Sequence, residues 1–244
     1  MKRKNRIFSF LLLFGMIVSA DNKISVDDRF VVKVVNLKED DLKLYWKDNR
    51  GKIIRTFENL KTFVESKQET LLFAMNAGMY KTDFSPLGLF VENGKIVQPL
   101  NNASGEGNFY LKPNGVFLIT ATNIPQIVPT NDFKNDVQIK YATQSGPMLL
   151  INGQIHPALN AGSTNLNIRN GVGILPDNSI VFAMSKKGIS FYDFAEFFKV
   201  LGCKNALYLD GAVSRTYFPK GNWVQNDGNF GVIIGLTKSN KKAL

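Results

Sequence analysis

Short apolar runs separated by turn residues dominate this sequence. "RFVVKVVNL" (29–37) and "LKLYWKD" (42–48) alternate apolar and polar positions, which predicts a half-buried hairpin across "KEDD". "TLLFAMN" (70–76) is unbroken by charge and reads as a buried strand. "LGLFVENGKIVQPL" (87–100) predicts a hairpin around Glu92-Asn93-Gly94, and "NFYLKPNGVFLIT" (108–120) another at Pro113-Asn114-Gly115. Residues 121–137, with two prolines and several asparagines, read as connecting chain with room for one short strand. "YATQSGPMLLINGQIH" turns at Asn152-Gly153, and "NGVGILPDNSIVFAMS" (170–185) at Pro176-Asp177-Asn178. "NALYLDG" (205–211) and "FGVIIGLT" (230–237) complete the strands.

Two stretches follow the helical period instead. Phe57, Leu60 and Val64 in "FENLKTFVES" give a short amphipathic helix. In "SFYDFAEFFKVLG", Phe191, Phe194, Ala195 and Phe198 share one face, with Ser190 as N-cap and Gly202 as the terminating glycine. That phenylalanine stripe is core. Hairpins outnumber helices, so the expected class is α+β: a single domain over 21–244, its mostly antiparallel sheet built from hairpins with a few packed helices.

Residues 1–20 stand apart. "MKRKNR" is basic, "IFSFLLLFGMIV" is apolar and "VSA" ends in small residues, the layout of a signal peptide. The apolar run is shorter than the roughly 20 residues a membrane-spanning helix needs. The expectation is therefore an exported, periplasmic or secreted protein without stable membrane insertion. Removing Lys2, Arg3, Lys4 and Arg6 takes the formal charge from +10 to +6. The remaining basicity is dispersed, which gives no nucleic-acid patch and is compatible with anionic substrates.

One cysteine, Cys203, excludes an internal disulfide and a CxxC site. One histidine, His156, sits before a proline in a connection and reads as a hydrogen-bonding loop residue. A histidine-rich zinc site is excluded. Any catalysis therefore rests on carboxylates, hydroxyls, amides or arginines.

Four places set polar groups where an apolar strand stops. Asn76 ends one run, with Ala77-Gly78 permitting close backbone approach. Thr143, Gln144 and Ser145 stand directly before Gly146-Pro147. Arg169 precedes a buried strand, and Asp210-Gly211 with Ser214 and Arg215 follows another. A carboxylate ending a strand before glycine is one way to expose a reactive group; an ordinary Asp-Gly turn is the other reading.

The ordered set "MNAGMY", "SPLGLFVENGK", "ATQSGPMLLINGQIHP", "RNGVGI" and "FYDFAEFFKVLGCKNALYLDG" resembles the bacterial phosphodiester glycosidase family. That family shares its domain with the uncovering enzyme, N-acetylglucosamine-1-phosphodiester alpha-N-acetylglucosaminidase. The similarity runs from about Leu71 to Leu236. It implies hydrolysis of a sugar-1-phosphodiester in an exported or envelope glycan, with a phosphorylated sugar or glycan as partner. On this reading Asp210, Arg169 and Glu106 are catalytic. Asn76, Gly78, Thr143, Ser145, Gly146, Gly211, Ser214 and Arg215 bind substrate. Asp83 is a further carboxylate candidate, with a solvated loop as its simpler reading. No cofactor is required, although a divalent cation such as calcium is compatible.

Studied members end the last motif in Asp-Gly-Gly-Gly-Ser; here Ala212 and Val213 replace two glycines. Two alternatives follow: binding an anionic glycan without cleavage, or a structural domain with Asp210 and Glu106 on calcium.

Overall fold

Alternating apolar positions turn most of these runs into strands whose inner faces share one core. A computed structural model describes residues 27–135, 138–210 and 213–241. The signal-peptide expectation over 1–20, and the expectation for Gly211, fall outside the described residues. In chain order the first strands are β1 (Phe30–Val35), β2 (Asp41–Tyr45), β3 (Glu69–Asn76), β4 (Phe90–Glu92) and β5 (Lys95–Gln98). Next come β6 (Gly115–Thr120), β7 (Pro125–Pro129), β8 (Ile139–Ser145), β9 (Met148–Ile151) and β10 (Gln154–Ile155). The last are β11 (Asn170–Ile174), β12 (Ile180–Ser185), β13 (Ala206–Tyr208), β14 (Thr216–Phe218), β15 (Trp223–Val224) and β16 (Ile233–Ser239). The helices are α1 (Phe57–Glu65) and α2 (Phe191–Val200).

The described strands form three antiparallel sheets, ordered β1-β12-β11-β13-β9-β10, β15-β14-β3-β16-β2 and β5-β4-β8-β6-β7. This is the α+β, mostly antiparallel single domain that the pattern predicts. All three sheets contribute to a central core, through Val172, Phe182 and Leu207 of the first, Phe73, Met75 and Ile234 of the second, and Phe90, Phe117 and Tyr141 of the third. Period-two alternation sends the intervening residues outward. Val181, Ala183 and Tyr208 thus meet Phe194, Phe197 and Phe198 of α2. On the second sheet, Leu71, Ala74 and Ile233 meet Phe57, Leu60 and Val64 of α1.

Both helices carry the caps that stop their first turns unravelling. Thr56 Oγ1 accepts from the Asn59 amide at 3.1 Å, and Ser190 Oγ from the Asp193 amide at 3.0 Å. Gly202 follows α2 with φ 81°, a left-handed conformation that suits glycine.

Two expected pairings differ. β1 and β2 form, yet β1 pairs with β12 and β2 with β16. Between them the Asp40 amide donates to the Asn36 carbonyl at 2.8 Å, and the Asn36 amide to Asp40 Oδ2 at 2.9 Å. This closed turn passes the chain from one sheet to another. The expected hairpin over 108–120 keeps only β6, which pairs with β7 and β8. Asn108–Tyr110 is a 3-10 turn, with Phe109 buried and its carbonyl accepting from Asn114 Nδ2 at 2.8 Å. The pair β14 and β15 has no counterpart in the predicted elements. No helix among the described residues is long and apolar enough to cross a membrane.

Candidate active site at the strand ends

The ends of β3, β8 and β13 and the start of β11 come together, and buried amides and hydroxyls join them. Asn170, 0 % exposed, is the hub. Its Nδ2 donates to the Asn76 carbonyl at 2.8 Å and to Asn76 Oδ1 at 3.0 Å. Its Oδ1 accepts from the Asp210 amide at 3.2 Å. Asn76 Oδ1 also accepts from the Arg215 amide at 2.8 Å, and Asn76 Nδ2 reaches the Asp210 carbonyl at 3.5 Å. The Ser214 hydroxyl donates to that carbonyl at 2.9 Å, with the Ile168 carbonyl 3.1 Å away. From the third sheet, the Ser145 hydroxyl donates to the Leu209 carbonyl. Buried amides of this kind are stabilising only when fully paired, and their fixed geometry then specifies one backbone path. Asn76, Asn170 and Ser214 thus hold the main chain of Asp210, and Ser145 that of Leu209 just before it; Asp210 is itself only 5 % exposed.

The neighbouring candidates serve this convergence in other ways. A Cβ on Gly78 would stand 2.4 Å from Thr143 Oγ1 and 2.5 Å from the Gln144 carbonyl oxygen. The close approach that Gly78 permits is therefore to β8. Gly146 is held as tightly, since its Cβ would lie 2.5 Å from Asn114 Cβ. Thr143 is buried beside Gly78. Gln144 faces away from the convergence: its Oε1 accepts from the Leu89 and Asn101 amides at 2.9 Å each, fixing the chain on either side of β4 and β5.

The two arginines expected at the substrate do not present open guanidinium groups. Arg169 is 1 % exposed and lies on the α2 side of the first sheet. Its Nε donates to the Ile189 carbonyl at 2.8 Å and its Nη2 to the Asn165 carbonyl at 2.9 Å. Its Cζ stacks 3.5 Å over the Phe191 ring, and Nη1 reaches the Tyr208 hydroxyl at 3.5 Å. Burial lowers its pKa from the ordinary arginine value, with Tyr208 working against that shift. The physical reason is alternation: Arg169 and Asn170 are adjacent, so their side chains leave the sheet on opposite faces. Arg215 lies at the convergence, but its Nε and Nη2 donate to Asp227 Oδ2 at 2.8 and 2.6 Å, and Nη1 to the Ser214 carbonyl at 2.9 Å.

The remaining titratable candidates lie apart. Glu106 is exposed on the loop before Asn108–Tyr110 and takes no part in these hydrogen bonds. Asp83 Oδ1 accepts from the Ser85 hydroxyl at 2.6 Å and its amide at 2.9 Å, which hold its carboxyl below the ordinary value in a turn. His156 and Cys203 are buried in other parts of the structure. No three His, Cys, Asp or Glu side chains among the described residues group so as to hold a metal ion.

The order of these strand ends along the chain can be compared with known proteins. The phosphodiester glycosidase family matches residues 69–235, more than half of the chain. The chain belongs to that family. Asn76, Ser145, Asn170, Asp210 and Arg215 all lie inside the matched span. "Uncharacterized protein YigE" of Escherichia coli (strain K12) is 39 % identical over 220 residues, covering 88 % of this chain and 86 % of its own. A zebrafish N-acetylglucosamine-1-phosphodiester alpha-N-acetylglucosaminidase catalytic domain, auto-inhibited by its pro-peptide, superposes with a TM-score of 0.59. It is 14 % identical, over 87 % of this chain and 84 % of that one. A hypothetical protein from Synechocystis superposes with a TM-score of 0.52, at 14 % identity, over 85 % of this chain and 59 % of its own. At such identities the superpositions establish the fold alone.

Within the family's span, Asn170 is the residue that sequence reasoning passed over. A signal was present: Val172 is an apolar neighbour two positions on, so Asn170 shares its inward face. Val213, which stands where studied members carry glycine, packs against the apolar cluster beneath α1.

Proposed function

We propose that this protein hydrolyses the bond between a sugar's anomeric carbon and a phosphodiester oxygen. Water adds to the anomeric carbon, the C–O bond to phosphate breaks, and a phosphate monoester leaves. Such a leaving group is far less basic than an alkoxide, so strong acid catalysis is not needed. What the transition state does need is a carboxylate beside the developing oxocarbenium ion. Asp210 fills that role on this reading. The observation that carries it is the convergence of Asn76, Ser145, Asn170 and Ser214 on the main chain at Leu209 and Asp210. A fixed main chain at Asp210 limits the reorganisation needed there as charge develops. Membership of the phosphodiester glycosidase family supports a hydrolase of this kind. Ser145 and Ser214 donate their protons to main-chain carbonyls, so both act as positioning residues. Val213 packs against the apolar cluster beneath α1.

The test is turnover of a nitrophenyl diester of a sugar 1-phosphate. Asp210→Asn, shown folded by circular dichroism, should lower kcat about a hundredfold or more with little change in KM. Near-normal turnover by the folded variant would remove Asp210 from the mechanism.

We also propose export, on the pattern of residues 1–20 alone. Amino-terminal sequencing of protein from its native cell should begin at Asp21, and an intact Met1 would refute this.

A further inference from the structure

Arg169 is buried and Arg215 is tied to Asp227, so neither of these two arginines offers an open guanidinium to the phosphate. A third arginine is placed to supply one. Arg55 precedes α1 and lies upstream of the span that the family matches. Its Cζ stacks 3.8 Å over the Phe84 ring, which itself stacks on Tyr80 at 5.3 Å and 17°. Its Nε donates to Asn229 Oδ1 at 2.6 Å. Neither Nη1 nor Nη2 bonds to a described residue, and no described carboxylate pairs with it. The group is therefore a half-buried guanidinium held flat by a ring and an amide, with its outer edge open.

Its position follows from the chain between Asp227 and Phe230. Asp227 holds Arg215, whose amide is bonded to Asn76 at the convergence. Two residues on, Asn229 takes Arg55 Nε on its side chain and the Tyr80 hydroxyl on its carbonyl at 2.7 Å. The Phe230 amide then donates to the Arg55 carbonyl at 2.7 Å. Tyr80 responds to both charges: burial first, then the Asp210 carboxylate, raise its pKa, while Arg55 works to lower it.

The backbone adds a second, independent observation. Arg55 has φ 68° and Phe84 φ 63°, left-handed conformations that are rare outside glycine and asparagine. Two such residues in direct contact are a marker of a functional constraint.

We propose that Arg55 binds the phosphate of the substrate, deepening the hydrolytic reading on which it rests. A planar guanidinium with a free edge matches two phosphate oxygens at once, and stacking on Phe84 orients it before the ligand arrives.

Titration with inorganic phosphate by calorimetry, beside the diester turnover assay, tests this. Arg55→Ala and Arg55→Gly should each weaken phosphate binding and raise KM about 10- to 100-fold. Arg55→Lys should restore only part, because a point charge lacks the fork. The glycine variant guards against a folding artefact, since it removes the guanidinium while relaxing the left-handed backbone. Unchanged phosphate affinity and KM in a folded Arg55→Gly protein would overturn the proposal, as would a native protein that binds no phosphate. Phosphate binding lost with Arg55, in a native protein that turns over no diester, would support this site and end the hydrolytic reading instead.

Discussion

His156 illustrates how completely a single residue can be fitted to one protonation state. Its Nε2 lies 2.9 Å from the Lys112 carbonyl, and its Nδ1 accepts from the Ala158 amide at 3.1 Å. One ring nitrogen therefore carries the proton and the other cannot, which is the neutral imidazole. Burial, the larger effect, holds its pKa below the ordinary 6.5, although the Lys112 carbonyl works the other way. Below 6.5 the unfolded chain takes up a proton that the folded chain refuses, so stability falls with falling pH until the folded ring also titrates. The contribution is fully present above that value. Urea midpoints measured from about pH 7.5 down to about pH 5 should decline in the native protein, and less steeply in His156→Gln, which has no ring to titrate. Equal slopes would show that His156 is not coupled to folding. Arg169 makes the complementary point: a charge can be buried when its donors and its face all find partners.

At the scale of elements, local chemistry was legible and distant partnership was not. The turns at Asn93-Gly94 and Asn152-Gly153 announce hairpins because both residues of each pair take positive φ, which Asn and Gly tolerate. Ser190 and Gly202 likewise mark the ends of α2. Alternation says which face of a strand is buried, but says nothing about which strand lies beside it. For that reason β1 and β2 were recognisable while their separation into two sheets was not. Phe109 and Tyr110 mimic a strand in composition but lie in the 3-10 turn Asn108–Tyr110, where Phe109 packs under Gly88. β14 and β15, at three and two residues, are too short to give a period. In the site, the abrupt ends of strands located Asn76, Ser145, Asp210 and Ser214. Charge drew the reading to Arg169, whereas its uncharged neighbour Asn170 faces the convergence. Nothing local marks Arg55, since its meaning depends on Phe84 and Asn229.

At the scale of the molecule, Asn170 is a rivet between sheets. Asn170→Ala would leave the Asp210 amide without its buried acceptor, at about 1–3 kcal/mol for that orphaned group, and would take from Asn76 Oδ1 one of its two donors. The variant should unfold at a clearly lower denaturant concentration with an unchanged m-value, and should lose turnover through misplacement of Asp210. Wild-type stability would mean that water replaces the amide and that Asn170 is not a rivet. The same architecture governs how the chain must be made. β3 lies in the middle of its sheet, and both of its neighbours, β14 and β16, come from the far end of the sequence. Asn76 waits for Asn170, 94 residues later, and for Arg215, 139 residues later. During synthesis "LLFAM" is therefore an apolar strand with two bare edges, the kind of segment on which chains stick to one another. A nascent chain needs that strand shielded until its last hairpin and final strand emerge.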